Sequence, residues 1–436
     1  MESRLVIKSG RVIDPANNID EILDIRVENG VISEIGKDLS FSSDDIVVDA
    51  KGKWITPGLV DIHVHFRDPG FTYKEDIETG SRAAAFGGFT TVVTMANTNP
   101  VADNEVVIEY QNAIANKKSL VNIFPAGAVT KELKGETLSE IGKMKEAGIV
   151  AITDDGVNID SPSVFKNAMK YAKFFDLPIL VHAEDKRLTG KGQIGAGKRA
   201  KELGLASIPP EAEEIIIARD IILAKSENAH IHIQHLSSEG SVNLIRRAKE
   251  DGVKITTEVC PHHFTLTESD IPDYDTNYKM APPLRTEKDR QALLEGLRDG
   301  TIDIIATDHA PHSPDDKNKE FELAPNGIIG LETSLALSLE LVHQNVLTES
   351  QLIEKMSLNP SNILNLKKGT LGIGFEADIT IIDPNLQWTF GQEHIQSKSR
   401  NTPFIGRKFK GKVITTIVKG KIVYMCDDAQ TGGGTF

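Results

Sequence analysis

Eight short apolar runs recur through the middle of the chain. They are LVDIHVH (59–65), FTTVVTM (89–95), LVNIFPAG (120–127), IVAITDD (149–155), PILVHAE (178–184), HIHIQHLS (230–237), KITTEVCPHH (254–263) and IDIIATDHAP (302–311). Each is rich in Val, Ile and Thr and short enough for a strand buried on both faces. Segments of helical periodicity such as SEIGKMKEAG and SVNLIRRAKEDG separate them, and a further helical stretch follows the eighth. Parallel strands need helical crossovers of this kind. The pattern predicts an α/β protein built on a (β/α)8 barrel.

The two ends read differently. RLVIKSGRVIDPANN, LDIRVENGVISEIG, ADITIIDPN and VITTIVKGKIVY are short alternating strands with turn signals. Neither end is long enough for a stable sheet of its own. Residues 1–55 and 367–436 are therefore expected to combine into one small β-sandwich flanking a barrel of residues 56–366. The last residues, DDAQTGGGTF, read as a disordered tail.

Composition narrows the function. A net charge of −14 and a pI near 5.4 exclude a nucleic-acid binder, which needs clustered Lys and Arg. Two cysteines, Cys260 and Cys426, leave no disulfide framework and fit a reducing compartment. No stretch approaches the ~20 apolar residues of a membrane span, and MESRLVIKSG lacks the pattern of a secretory leader. The expected location is the cytoplasm, with no membrane partner.

Barrel enzymes build their sites at the C-terminal ends of the strands. The first run ends in His63-Val64-His65, whose two imidazoles share a face at strand spacing. The fourth ends in Asp154-Asp155, the fifth holds His182, the sixth ends near His235 and the eighth ends in Asp308-His309. Imidazoles and carboxylates are the donors of an open hydrolytic zinc site. Any one of them alone reads as a core histidine or a helix cap; five strand ends together point to a metal centre. Periodicity does not choose among His230, His232 and His235, because the first two have opposite parity to the third.

The stretches DIHVHFRDPG, KEDIETGSRAAAFGGFTTVVTMANTNP, ATDHAPHSPDDK and APNGIIGLET resemble the signatures of the dihydroorotases, in their long bacterial-type branch of the amidohydrolase superfamily. The likeness runs through the whole chain. It implies a zinc-dependent cyclic amidohydrolase of pyrimidine biosynthesis that interconverts dihydroorotate and N-carbamoyl-aspartate. It implies two zinc ions, one on His63, His65 and Asp308 and one on His182 and His235, with Asp155 bridging them; Asp154 is the alternative bridge. Related hydantoinases and some dihydroorotases use a carboxylated lysine at strand 4, but GIVAITDDGVN offers none, the nearest being Lys145 and Lys166. The attacking group would be a hydroxide bridging the metals, with Asp308 as general base and then acid.

Substrate contacts carried over in the same way are Arg67, Asn97, His312 and the backbone at Asn326-Gly327, with His309 supporting the site. One position departs from the pattern. Where dihydroorotases usually have Asn before a Pro pair, KMAPPLR has Ala281, as allantoinases do; Asn277 or a water is expected to supply the missing donor. The competing readings are an allantoinase or hydantoinase-type hydrolase and a metal-free scaffold on the same fold. The resemblance further implies a homodimer, with aspartate transcarbamoylase as a partner.

Overall fold

A computed structural model describes residues 4–426. The segment 427–436, read above as a tail, lies outside the described residues. Eight parallel strands follow one another in sequence order around a barrel. Strand 1 is Leu59–Val64, strand 2 Phe89–Thr94, strand 3 Asn122–Gly127 and strand 4 Ala151–Thr153. Strand 5 is Ile179–Val181, strand 6 Ile231–Ile233, strand 7 Ile255–Val259 and strand 8 Ile304–Ile305. The ring closes where Val64 bridges His309 and the His65 amide donates to the His309 carbonyl at 2.9 Å. All eight expected strands are present.

Several of the helices that follow the strands start at a side-chain cap. Ile77–Phe86, after strand 1, begins at Asp76, whose carboxylate accepts from the Thr79 amide. Pro162–Phe174, after strand 4, begins at Ser161 with Pro in the first turn, and Glu239–Glu250 begins at Ser238. Such caps satisfy amides that have no partner within the helix. Apolar side chains divide between an inner cluster (Val60, Ile62, Val93, Met95, Leu180) and an outer one between strands and helices (Val92, Ile152, Ile179, Ile233). No helix among the described residues is long and apolar enough to cross a membrane.

The chain ends meet in a second β-layer. Arg4–Asp14 pairs antiparallel with Ile19–Glu28, which pairs with Val31–Gly36. Ile379–Thr389, Lys408–Val418 and Lys421–Met425 form the C-terminal half. Trp54–Pro57 joins the halves, parallel to Arg4–Asp14 on one side and antiparallel to Ile379–Thr389 on the other. Ile46–Asp49 pairs beside it on the same N-terminal strand, so the hydrogen-bonded path branches into a sandwich. Alternation gives this layer two faces. Leu5, Ile7, Val12, Ile25 and Ile417 fill its own core, whereas Ile13, Trp54 and Ile382 pack on the barrel.

Candidate metal centre and substrate cavity

His63, His65, Asp155, His182, His235 and Asp308 converge at the C-terminal mouth of the barrel, all buried. The His65 Nε2 lies 3.0 Å from an Asp308 oxygen and 3.2 Å from Asp155 Oδ2. Asp155 Oδ1 lies 3.5 Å from both His63 Nε2 and His182 Nδ1, and 3.9 Å from His235 Nε2. One carboxylate thus faces His65 with one oxygen and His182 and His235 with the other. His63, His65 and Asp308 form one group of donor atoms close enough to hold a metal ion, and His63, Asp155 and His235 form another.

The outward nitrogens of His63, His65 and His182 are occupied, which fixes these three rings. His63 Nδ1 donates to Glu258 Oε1 at 2.5 Å, and His65 Nδ1 donates to Asn97 Oδ1 at 2.9 Å. His182 Nε2 donates to Glu184 at 3.3 Å. Each bond leaves the opposite nitrogen's lone pair turned inward, as metal-ligating histidines require. This donor set, neutral imidazoles with carboxylates, fits a divalent zinc-like ion.

Electrostatics favours ionised carboxylates at the centre. Burial alone would raise the Asp308 carboxyl, but the imidazoles of His63 and His65 hold it below the usual carboxylate range. Burial likewise opposes ionisation of Asp155, and His63 and His182 reverse it. His182 Nδ1 and His235 Nε2 are 2.9 Å apart. Against burial, Asp155 and Glu184 raise His182 to about 9, while burial and His182 push His235 down to about 3. A metal ion held by both rings needs their neutral forms, so binding would displace any proton on the pair. His235 (φ +34°), Asp308 (φ +47°) and Arg67 (φ +58°) all lie in the left-handed region, a conformation that costs ~1–3 kcal/mol and clusters at functional sites.

Asp154 turns away from the centre. It accepts bonds from the Val129 amide at 2.8 Å, the Thr130 amide at 3.0 Å and the Thr130 hydroxyl, anchoring the turn after strand 3. His232 points into the barrel onto Glu258 (3.0 Å), and His230 bonds Thr256 at 3.0 Å. Lys145 is exposed, and Lys166 pairs with Glu227 on the helical layer at 3.2 Å.

A cavity of about 420 Å³ opens beside these residues, lined by Arg67, Asn97, Ala281, His312, Asn326 and Gly327 among others. The Arg67 Nε donates to the Pro311 carbonyl at 3.4 Å. Among the described residues no carboxylate lies within 4 Å of its guanidinium, so the surface salt bridge that could explain an isolated Arg is absent. Both ring nitrogens of His312, which lines the cavity, face other groups of the protein. Its Nε2 donates to the Asn326 carbonyl at 2.8 Å, and its Nδ1 faces Lys74 Nζ at 3.2 Å. Burial, then Arg67 and Lys74, push it down to about 2, so it is a neutral ring. Asn97 likewise spends its carbonyl on His65, though it still borders the cavity. Asn277 does not line this cavity, so it does not replace the donor missing at Ala281. His309 faces away, accepting from the Gly330 amide at 3.1 Å at the start of the helix Leu331–His343.

The amidohydrolase family model matches residues 54–423. The dihydroorotase of Pelobacter propionicus is 52% identical over 96% of this chain and 99% of its own length. That of Acetivibrio thermocellus is 51% identical over 96% of this chain and 98% of its own. The chain belongs to the dihydroorotase branch of the amidohydrolase family. Among solved structures, the L-hydantoinase of Arthrobacter aurescens superimposes with a TM-score of 0.87 at 28% identity, covering 98% of this chain and 96% of that one. Hydantoinases thus share the fold, while the dihydroorotases share half the sequence.

Against this family background two groups stand out that sequence reasoning missed. Glu258, fully buried on strand 7, joins His63 to His232 and accepts from the His235 amide at 3.3 Å. Burial would raise its carboxyl, but His63 and His232 hold it at about 2. The signal was a lone Glu inside the strand run ITTEV. Cys260, His262 and His263 form a third buried donor group just after that strand. Burial pushes both of these imidazoles down and the thiol up, leaving all three uncharged.

Proposed function

We propose that this chain catalyses the reversible hydrolysis of dihydroorotate to N-carbamoyl-aspartate as a two-zinc enzyme. His63, His65 and Asp308 would hold one ion, His182 and His235 the other, and Asp155 would bridge them, with no carboxylated lysine. Zinc bound there would supply Lewis acidity, acidifying water and polarising the ring carbonyl.

The protein's own groups do the rest. Asp308, among the metal donors and bordering the cavity, accepts the proton of the attacking water. It then delivers that proton to the ring nitrogen as the carbon–nitrogen bond breaks. Ring closure runs the same transfers backwards. Asn97 and Glu258 keep His65 and His63 in the required tautomer.

The observation that carries the substrate is Arg67. A half-buried guanidinium without an acidic partner, bordering the cavity within the field of Asp308 and Asp155, is suited to the planar carboxylate on a dihydroorotate ring. Allantoin is the second reading, favoured only by Ala281 at the cavity wall. The test is ring opening of dihydroorotate by purified protein, before and after chelation and again after zinc is restored. Turnover that survives complete metal removal, or fails to return with zinc, contradicts the proposal.

A further inference from the structure

Between Gln392–His394 and the strand Lys408–Val418, the C-terminal half of the sandwich sends residues 396–401 across the catalytic face of the barrel. This strap ties loops together. Its Ser397 hydroxyl bonds the buried Glu75, and Ser399 Oγ donates to the Lys74 carbonyl at 2.7 Å, both in the loop that follows strand 1 and carries Arg67. Asn401, 3% exposed, links the strap to the loops after strand 8. Its Oδ1 accepts from the His312 amide at 3.1 Å. Its Nδ2 donates to the Ala310 carbonyl at 3.0 Å and the Gly327 carbonyl at 2.9 Å. Its own carbonyl accepts from the Ile329 amide at 2.9 Å.

The seam it closes is tight. Gly327 has φ +134°, and a Cβ there would stand 2.8 Å from the Ala310 oxygen and 3.2 Å from the His312 ring. Ala310, His312 and Gly327 all line the cavity, and Arg67 reaches the Pro311 carbonyl between the first two. The Ala310 amide already bonds the Ile328 carbonyl at 2.8 Å, and one amide side chain from the strap adds three further bonds that set the spacing of this wall. Removing it strips the His312 amide and the Ala310 carbonyl of their side-chain partner, while the Gly327 carbonyl keeps Lys317 Nζ at 3.1 Å.

We propose that Asn401 is a positioning residue for substrate: by pinning Ala310, His312 and Gly327 together it sets the pocket that receives the carboxylate-bearing ring. The sandwich thereby contributes to ligand affinity. The inference rests on the dihydroorotate reading only for the choice of ligand. If the parent opens another ring, the KM for that ring is the readout, so the two failures are distinguishable.

The test is Asn401→Asp, which keeps the volume and the acceptor for the His312 amide but sets an oxygen against two carbonyls. Expected is a rise in KM of roughly ten- to hundred-fold, with zinc content and kcat at saturation close to the parent's. Should that variant not fold, Asn401→Ser gives the same measurement. Gly327→Ala, which forces the seam from its other side, is expected to raise KM in the same sense. A parental KM in the Asn401 variants, or a loss of zinc and kcat alongside KM, overturns the assignment.

Discussion

Glu258→Gln isolates the support of the metal donors from the donors themselves. The carboxylate is fully buried and holds three partners: His63 Nδ1 at 2.5 Å, His232 Nε2 at 3.0 Å and the His235 amide at 3.3 Å. Glutamine fits the same volume but turns one oxygen into a donor, which must face either His63 or His232. It also removes the negative charge that increases the basicity of His63. Losing such an outer carboxylate typically costs 10- to 100-fold in metal affinity, about 1.4–2.8 kcal/mol. In the proposed site His63 holds the ion it shares with His65 and Asp308, so that ion should weaken. Competition against a chromogenic chelator reads the affinity directly, and activity should return at saturating zinc. Unchanged zinc affinity, or activity that stays lost at saturation, refutes the reasoning.

Asp308→Asn should abolish turnover while part of the zinc remains bound; near-parental kcat would remove its acid–base role. Arg67→Ala should weaken dihydroorotate binding by about 1.5–3 kcal/mol, the worth of a charge-assisted hydrogen bond, seen as a higher KM with metal content intact. The acidic pair should separate: Asp155→Asn loses zinc, whereas Asp154→Asn keeps zinc and loses about 1–3 kcal/mol of stability as its three donors lose a charged acceptor. Metal analysis and thermal melting of the two proteins side by side check this.

The barrel was readable because buried parallel strands are continuous apolar runs. What blurred were their ends, where the chemistry is. Strand 6 stops at Ile233 and His235 adopts φ +34°, so strand alternation no longer governs where its ring points. That is why His235 and His232, of opposite parity, both reach the interior. Strand 8 is only Ile304–Ile305, and Asp308 sits beyond it in the left-handed region. The pairing of Trp54–Pro57 with Ile379–Thr389 spans more than 300 residues and leaves no local trace. Asn401 is equally silent, since a loop residue in SRNTPF shows its four partners only once both domains are assembled.

The most direct measurement compares kcat/KM of the zinc-replete protein for dihydroorotate, N-carbamoyl-aspartate, allantoin and hydantoin. The account predicts turnover of the first two and little of the others, because only they offer Arg67 a ring or chain carboxylate. Efficient hydrolysis of allantoin with none of dihydroorotate would contradict it and make Ala281 the residue that decides the substrate.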